Sequence, residues 1–115
     1  MRDATAEPIE ASTTFCIDLD HPALPGHFPG APVVPGVLLL AEGLHRLEVL
    51  TGAPLVCQRI ESAKFLQTVA PGAAITAILA MTDSGRARVE FYVSGTLVAH
   101  VVLITAAGVA NHGHG

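Results

Sequence analysis

Residues 26–40 read GHFPGAPVVPGVLLL, a histidine set in a proline-locked loop that runs straight into an apolar helix. Pro29, Pro32 and Pro35 each fix φ and remove a backbone donor, while Gly26, Gly30 and Gly36 permit close approaches that a side chain would block. Such a loop is stiff and aims His27 in a definite direction. Pro35-Gly36 then opens a helix whose first N–H groups and positive dipole end are free to face an electron-rich ligand atom, such as a polarised carbonyl oxygen. Alone, a histidine in a turn or a Pro-Gly helix start is commonplace. Together they set a candidate base beside a candidate oxyanion donor, the pairing that proton abstraction next to a carbonyl requires.

Outward from this stretch the pattern is simple. Thr14 to Leu19 alternates, with Phe15, Ile17 and Leu19 on one side, and predicts a strand that ends at His21-Pro22. The helix runs from about Gly36 to Thr51, stopped by Gly52 and Pro54. Strand-like segments follow over about 55–67, 73–82, 86–94 and 97–106, the last three joined by Asp83-Ser84-Gly85 and Ser94-Gly95 as hairpins. One helix followed by an antiparallel meander predicts an α+β fold in which the sheet wraps the helix to hide its apolar surface. The last strand is apolar on both sides, with Val98, Val102 and Ile104 opposite Leu97, Ala99, Val101 and Leu103, and belongs in the sheet interior or an interface. The expected organisation is a flexible arm over 1–12, one domain over 13–107 and a flexible tail over 108–115 that contains His112 and His114.

Composition limits the function classes. A chain of 115 residues makes one domain, and half of its residues are apolar, which favours an oligomer over a small monomer. The formal net charge of −4, without a basic stripe, argues against nucleic acid and anionic membranes as partners. No run reaches the roughly 18 apolar residues of a membrane span. The start, Met1 to Glu7, lacks the apolar core of a secretory signal, so a cytoplasmic location is the expectation. Cys16 and Cys57 lie in apolar strand-like contexts without metal spacing and are expected to be buried, reduced thiols. No flavin, nucleotide or metal motif is present, and no cofactor is expected.

The order His27-Phe28-Pro29-Gly30, Pro32-Val33, Pro35-Gly36-Val37-Leu38 resembles the active-site segment of the hotdog-fold β-hydroxyacyl-acyl carrier protein dehydratases. Downstream, Lys64-Phe65, Val69 and Pro71-Gly72 resemble that family's basic-aromatic, valine and proline-glycine segment. The similarity runs loosely from Phe15 to Thr105, and the short dehydratase-like members are the nearest in kind. The resemblance implies a hotdog fold, with the helix as filling. It also implies dimers whose sheets continue side by side with active sites at the subunit boundary, and a substrate held as a thioester on acyl carrier protein. His27 is then the base that removes the α proton, and the Gly36 N–H holds the thioester oxygen.

Relatives place an acid on the helix, donated across the dimer boundary, at a spacing from the histidine that falls here on Ala41. Glu42 is one residue later and, at about 100° per residue, points to a different side. With Val37 as reference, Ala41 falls near 40°, Glu48 near 20°, His45 near 80°, Glu42 near 140° and Arg46 near 180°, all at about 100° per residue. Glu48 shares the side of Ala41 but lies about 10 Å farther along the axis. His45 occupies a position where relatives often carry glutamine, a candidate for lining the acyl tunnel or holding a water. Glu42 is either a solvated carboxylate near Arg46 or the substitute acid. Three readings follow: a dehydratase using His27 and Gly36, with Glu42, or His27 itself after protonation, releasing the hydroxyl; a catalytically degenerate subunit that completes a related hotdog chain; and a hotdog thioesterase with Glu42 activating water. The carrier protein would dock on cations among Arg46, Arg59, Lys64, Arg86 and Arg88.

Overall fold

Helix α1, Gly36–Thr51, is the only helix among the described residues, and its two ends are set by the residues expected to set them. The structure is a computed structural model, and it describes residues 9–18 and 33–108. Pro35 sits in extended conformation at the N-cap, and its carbonyl accepts from the Leu38 N–H at 3.0 Å. At the other end Gly52 takes φ 74°, and its N–H returns to the Glu48 carbonyl at 2.8 Å. Leu39, Gly43 and Leu47 form the buried stripe. A Cβ on Gly43 would stand 3.2 Å from Phe91 Cζ, so the glycine lets the helix backbone lie directly on that ring. A mid-helix glycine costs about 1 kcal/mol relative to alanine, a cost offset here by close contact with Phe91 and Val89.

The strands are β1 Ile9–Phe15, β2 Leu55–Phe65, β3 Ile75–Met81, β4 Arg86–Val93 and β5 Thr96–Ala107. They form one antiparallel sheet of order β1-β3-β4-β5-β2. Ile75, Ala77, Leu79, Ala87, Val89, Phe91, Ala99, Val101 and Leu103 are buried and join Leu39 and Leu47 in one core. This is the hotdog arrangement, an antiparallel sheet around one helix. β5 lies between β4 and β2, so both of its sides are at least half-covered along most of its length, as its two-sided apolar pattern requires. Among the described residues no helix is long and apolar enough to cross a membrane.

Two sequence expectations need correction. β1 begins at Ile9 and stops at Phe15, so residues 9–12, assigned above to the arm, pair with β3, and residues 14–19 are not one strand. Ile9, Ala11, Thr13 and Phe15 keep the inward phase, but Glu10, Ser12 and Thr14 make the strand polar enough to resemble a tail. Pairing with the free edge of β3 decides it. Cys16, expected buried, is exposed, because it takes the outward phase between Phe15 and the buried Ile17; Cys57 is half-buried, and both thiols are free.

The turns differ in what they demand. Ser94 and Gly95 both take positive φ, 52° and 80°, the primed geometry that matches the twist of a hairpin. At the β3–β4 turn the Gly85 carbonyl accepts from both the N–H and the hydroxyl of Thr105, at 2.8 and 2.9 Å, and Thr105 is the buried polar residue of the core. A Cβ on Gly85, at φ 89°, would overlap the Thr105 carbonyl oxygen. Gly85→Ala is therefore expected to destabilise the domain by about 2 kcal/mol or more, combining left-handed strain with a backbone clash. A thermal midpoint within a degree of wild type would show that the turn relaxes freely.

Candidate active site

The start of α1 is held from both sides. The Val34 N–H donates to the Val69 carbonyl at 2.8 Å, tying the approach to the helix to the segment that follows β2. On the other side the Phe65 ring lies against Gly36, so that a Cβ there would meet Cε1 and Cζ at 3.0 Å. Between them runs an open groove of about 480 Å³ lined by Val33, Pro35, Gly36, Phe65, Leu66 and Val69 among others. The helical hydrogen bonds begin with the Leu38 and Leu39 N–H groups on the Pro35 carbonyl, which leaves the Gly36 and Val37 N–H groups ahead of the first bonded turn, and an apolar groove strengthens any hydrogen bond donated into it. Gly36 lines this groove at the helix start. His27 lies outside the described residues.

The helix divides its other candidates between two flanks. Ala41 is exposed on the flank toward β2, where it joins Val37, Leu40, Leu44, Cys57, Ile60 and Leu103 around an apolar recess of about 230 Å³. Glu42 lies on the flank toward β1. Its Oε1 pairs with Arg46 Nη2 at 3.3 Å, and the Arg46 guanidinium stands 4.7 Å over the Phe15 ring. About a quarter of each charged side chain is exposed, so the pair itself is a modest contribution. Its directional consequence matters more, because the carboxylate proposed as substitute acid is fastened on the side away from Ala41. Reaching across about 100° of helix surface would require giving up Arg46. Glu48 is engaged as well: its Oε2 accepts from the Leu55 N–H at 2.9 Å and fastens the start of β2 to α1.

His45 is exposed on the same flank as Ala41. Val37, Ala41, His45 and Val49 form a single exposed line at four-residue spacing, with Val37 71% and Val49 67% exposed. The edge strand β2 continues this apolar surface through Ile60 (46%), Phe65 (47%) and the adjoining Leu66 (54%).

Sequence reasoning missed the inward role of Ile60 because β2 carries two bulges. Cys57 pairs with Thr105 and Arg59 with Ile104, while Ile60 pairs with Leu103 and Ser62 with Val102, which leaves Gln58 and Glu61 as extra residues. Inward positions therefore fall at 57, 60, 63 and 65 instead of alternating. The same register puts Arg59, Lys64, Arg86 and Arg88 on the outer side of the sheet. There Glu61 bridges Arg86 at 3.0 Å and Arg59 at 3.2 Å, and those guanidiniums, Arg86 foremost, hold its carboxyl below the usual glutamate value.

Comparison with known proteins identifies the fold and the lineage. Residues 3–102 match the family profile described as ApeI-like, ApeI dehydratase. The 3-hydroxyacyl-[acyl-carrier-protein] dehydratase FabZ of Chlamydia trachomatis is 34% identical over 96 residues, which cover 72% of this chain and 63% of that protein. The chain thus spans less than two thirds of the length of this relative. Among solved structures, the dehydratase heterocomplex ApeI:P from Xenorhabdus doucetiae superposes with a TM-score of 0.77 at 20% identity, covering 92% of this chain and 94% of that one. An uncharacterized protein from Erwinia carotovora gives 0.79 at 20% identity, with 93% and 88% covered. The two structural likenesses establish the hotdog fold, and the profile match over nearly the whole chain establishes more: the chain belongs to the ApeI-like dehydratase family, among the hotdog-fold β-hydroxyacyl-acyl carrier protein dehydratases.

Proposed function

We propose that this chain is a cytoplasmic dehydratase subunit acting on β-hydroxyacyl groups carried as thioesters on acyl carrier protein, in the building of fatty-acid-like or polyene-type chains. The observation that carries the reading is the largely apolar groove at the start of α1, which Gly36 lines with Phe65 packed against it. A thioester oxygen seated there draws charge as the α proton leaves, and His27 takes that proton. The C–O bond at the β carbon then breaks, the hydroxyl departs with a second proton as water, and the α–β double bond forms. Backbone donors at such a position contribute about 3–4 kcal/mol to the transition state.

The substrate side chain fits the recess beneath Ala41, and the exposed line of α1 with the edge of β2 fits a second hotdog subunit, either a copy or a related chain. The degenerate-subunit reading keeps one specific support, the absence of a carboxylate at Ala41. The pairing of Glu42 with Arg46 counts against the thioesterase reading, which needs Glu42 as its base.

The direct test offers purified protein a β-hydroxyacyl carrier-protein thioester and follows enoyl formation by absorbance and mass. No enoyl product, with the protein alone or with a related hotdog subunit, would defeat the reading. Gly36→Val should crowd the groove, since even one Cβ stands 3.0 Å from the Phe65 ring. A loss of about 10²-fold in turnover is expected, with thermal stability little changed. Unaltered turnover and acyl-thioester affinity would move the oxygen site elsewhere.

A further inference from the structure

We propose that His45 of one subunit is the proton donor that serves the neighbouring subunit's site, in place of the carboxylate that Ala41 lacks; the inference rests on the dehydratase reading above. Departure of hydroxide from the β carbon needs a proton, and three titratable side chains of α1 are placed near that duty. Glu42 is on the β1 flank, paired with Arg46. Glu48 is on the correct flank but accepts the Leu55 N–H at 2.9 Å, two turns deeper. His45 is on the correct flank and exposed, and among the described residues its side chain is in no hydrogen bond or ion pair.

Geometry favours it further. A helical side chain leans toward the N-terminus and covers the turn before its own Cα. From position 45 that turn is Ala41. The two positions differ by only about 40° around the axis, and residues four apart have Cβ atoms about 5–6 Å apart. Ala41 offers no side chain beyond Cβ to obstruct the imidazole, so the ring can settle over the site from which the acid is missing. The line Val37, Ala41, His45, Val49 is exposed in one chain and continuous with the apolar edge of β2, the surface that a second copy would cover under this proposal. In the step itself the imidazolium gives its proton to the leaving hydroxyl, water departs, and neutral His45 is reprotonated from solvent, while the α proton resides on His27 until it too exchanges. Atoms and charge balance without a cofactor.

Turnover of β-hydroxyacyl thioester by wild type, His45→Gln, Glu42→Gln, Ala41→Asp and the double variant His45→Gln/Ala41→Asp decides the matter. His45→Gln should lose about 10²- to 10⁴-fold, as removal of a general acid does, and Ala41→Asp in that background should recover at least tenfold by supplying a carboxylic acid at the vacated place. A merely structural histidine would not be rescued in this way. Mixing refolded His27→Ala with His45→Gln subunits should restore about a quarter of wild-type turnover, because half of randomly paired dimers are hybrids with one intact site. Thermal midpoints near wild type keep the result free of folding effects. Full activity in His45→Gln overturns the inference and leaves the dehydratase reading standing, and loss in Glu42→Gln alone returns the role to Glu42. A silent wild type that Ala41→Asp awakens also overturns it, since His45 then does not substitute. Silence in every variant defeats the dehydratase reading and the inference together.

Discussion

Alanine at position 27 is expected to lower dehydration by three orders of magnitude or more while the protein remains folded. General-base removal alone is worth about 10²- to 10⁴-fold, and His27 is the proposed base, with no second candidate among the described residues that line the groove. The side chains around that groove, Val33, Pro35, Phe65, Leu66, Gln67, Thr68 and Val69, include no group that could accept a proton at neutral pH. Stability is expected to hold because α1 is anchored in the core by Leu39 and Leu47, together with Ile75, Phe91 and Val101. Circular dichroism and the thermal midpoint measure the second expectation, and enoyl formation under saturating substrate measures the first. Because a base acts only on the reacting atom, kcat should carry most of the loss and KM little of it. Equal turnover by wild type and His27→Ala would remove the histidine from the mechanism.

Much of the fold was legible because its signals are local. Pro35-Gly36 and Gly52 bracket α1 at the residues where the helix begins and ends, and Ser94-Gly95 makes a primed turn that only a tight hairpin uses. The weak points were those where a partner strand decides. β1 has few apolar residues, so its length came from the free edge of β3 and not from its own pattern. The bulges at Gln58 and Glu61 change the inward period of β2 from two to three, which no propensity of these residues announces. For the site, spacing from His27 located Ala41 and the helical wheel separated Glu42 from it by about 100°. The wheel could not say which flank meets β2. That required the sheet order, which places Cys57 and Ile60 beside Ala41 and Phe15 beside Arg46. Once the flanks are known, the histidine on the line of Ala41 becomes the residue to ask about.

Ile60→Glu tests whether the flank of Ala41 is a subunit seam. Ile60 is 46% exposed in the single chain, lines the recess beneath Ala41 and borders Val37, which is 71% exposed. A glutamate there has access to water in an isolated subunit, so its effect on folding should stay within about 0.5 kcal/mol, the ordinary range for surface positions. Covered by a second hotdog, the same carboxylate is enclosed among Val37, Leu40, Leu44 and Leu103 without a cation to pair with, a burial that costs several kcal/mol. At about 3 kcal/mol or more, the dissociation constant of the dimer should rise by a hundredfold or greater. Sedimentation velocity at micromolar concentration should then show a dimer for wild type and a monomer for Ile60→Glu. Turnover should fall in parallel, because under the proposal a site needs the proton donor of the neighbouring subunit and cannot be completed by one chain. Dimers that survive Ile60→Glu would place the seam on another surface, and a fully active monomer would show that each chain holds its whole site within itself.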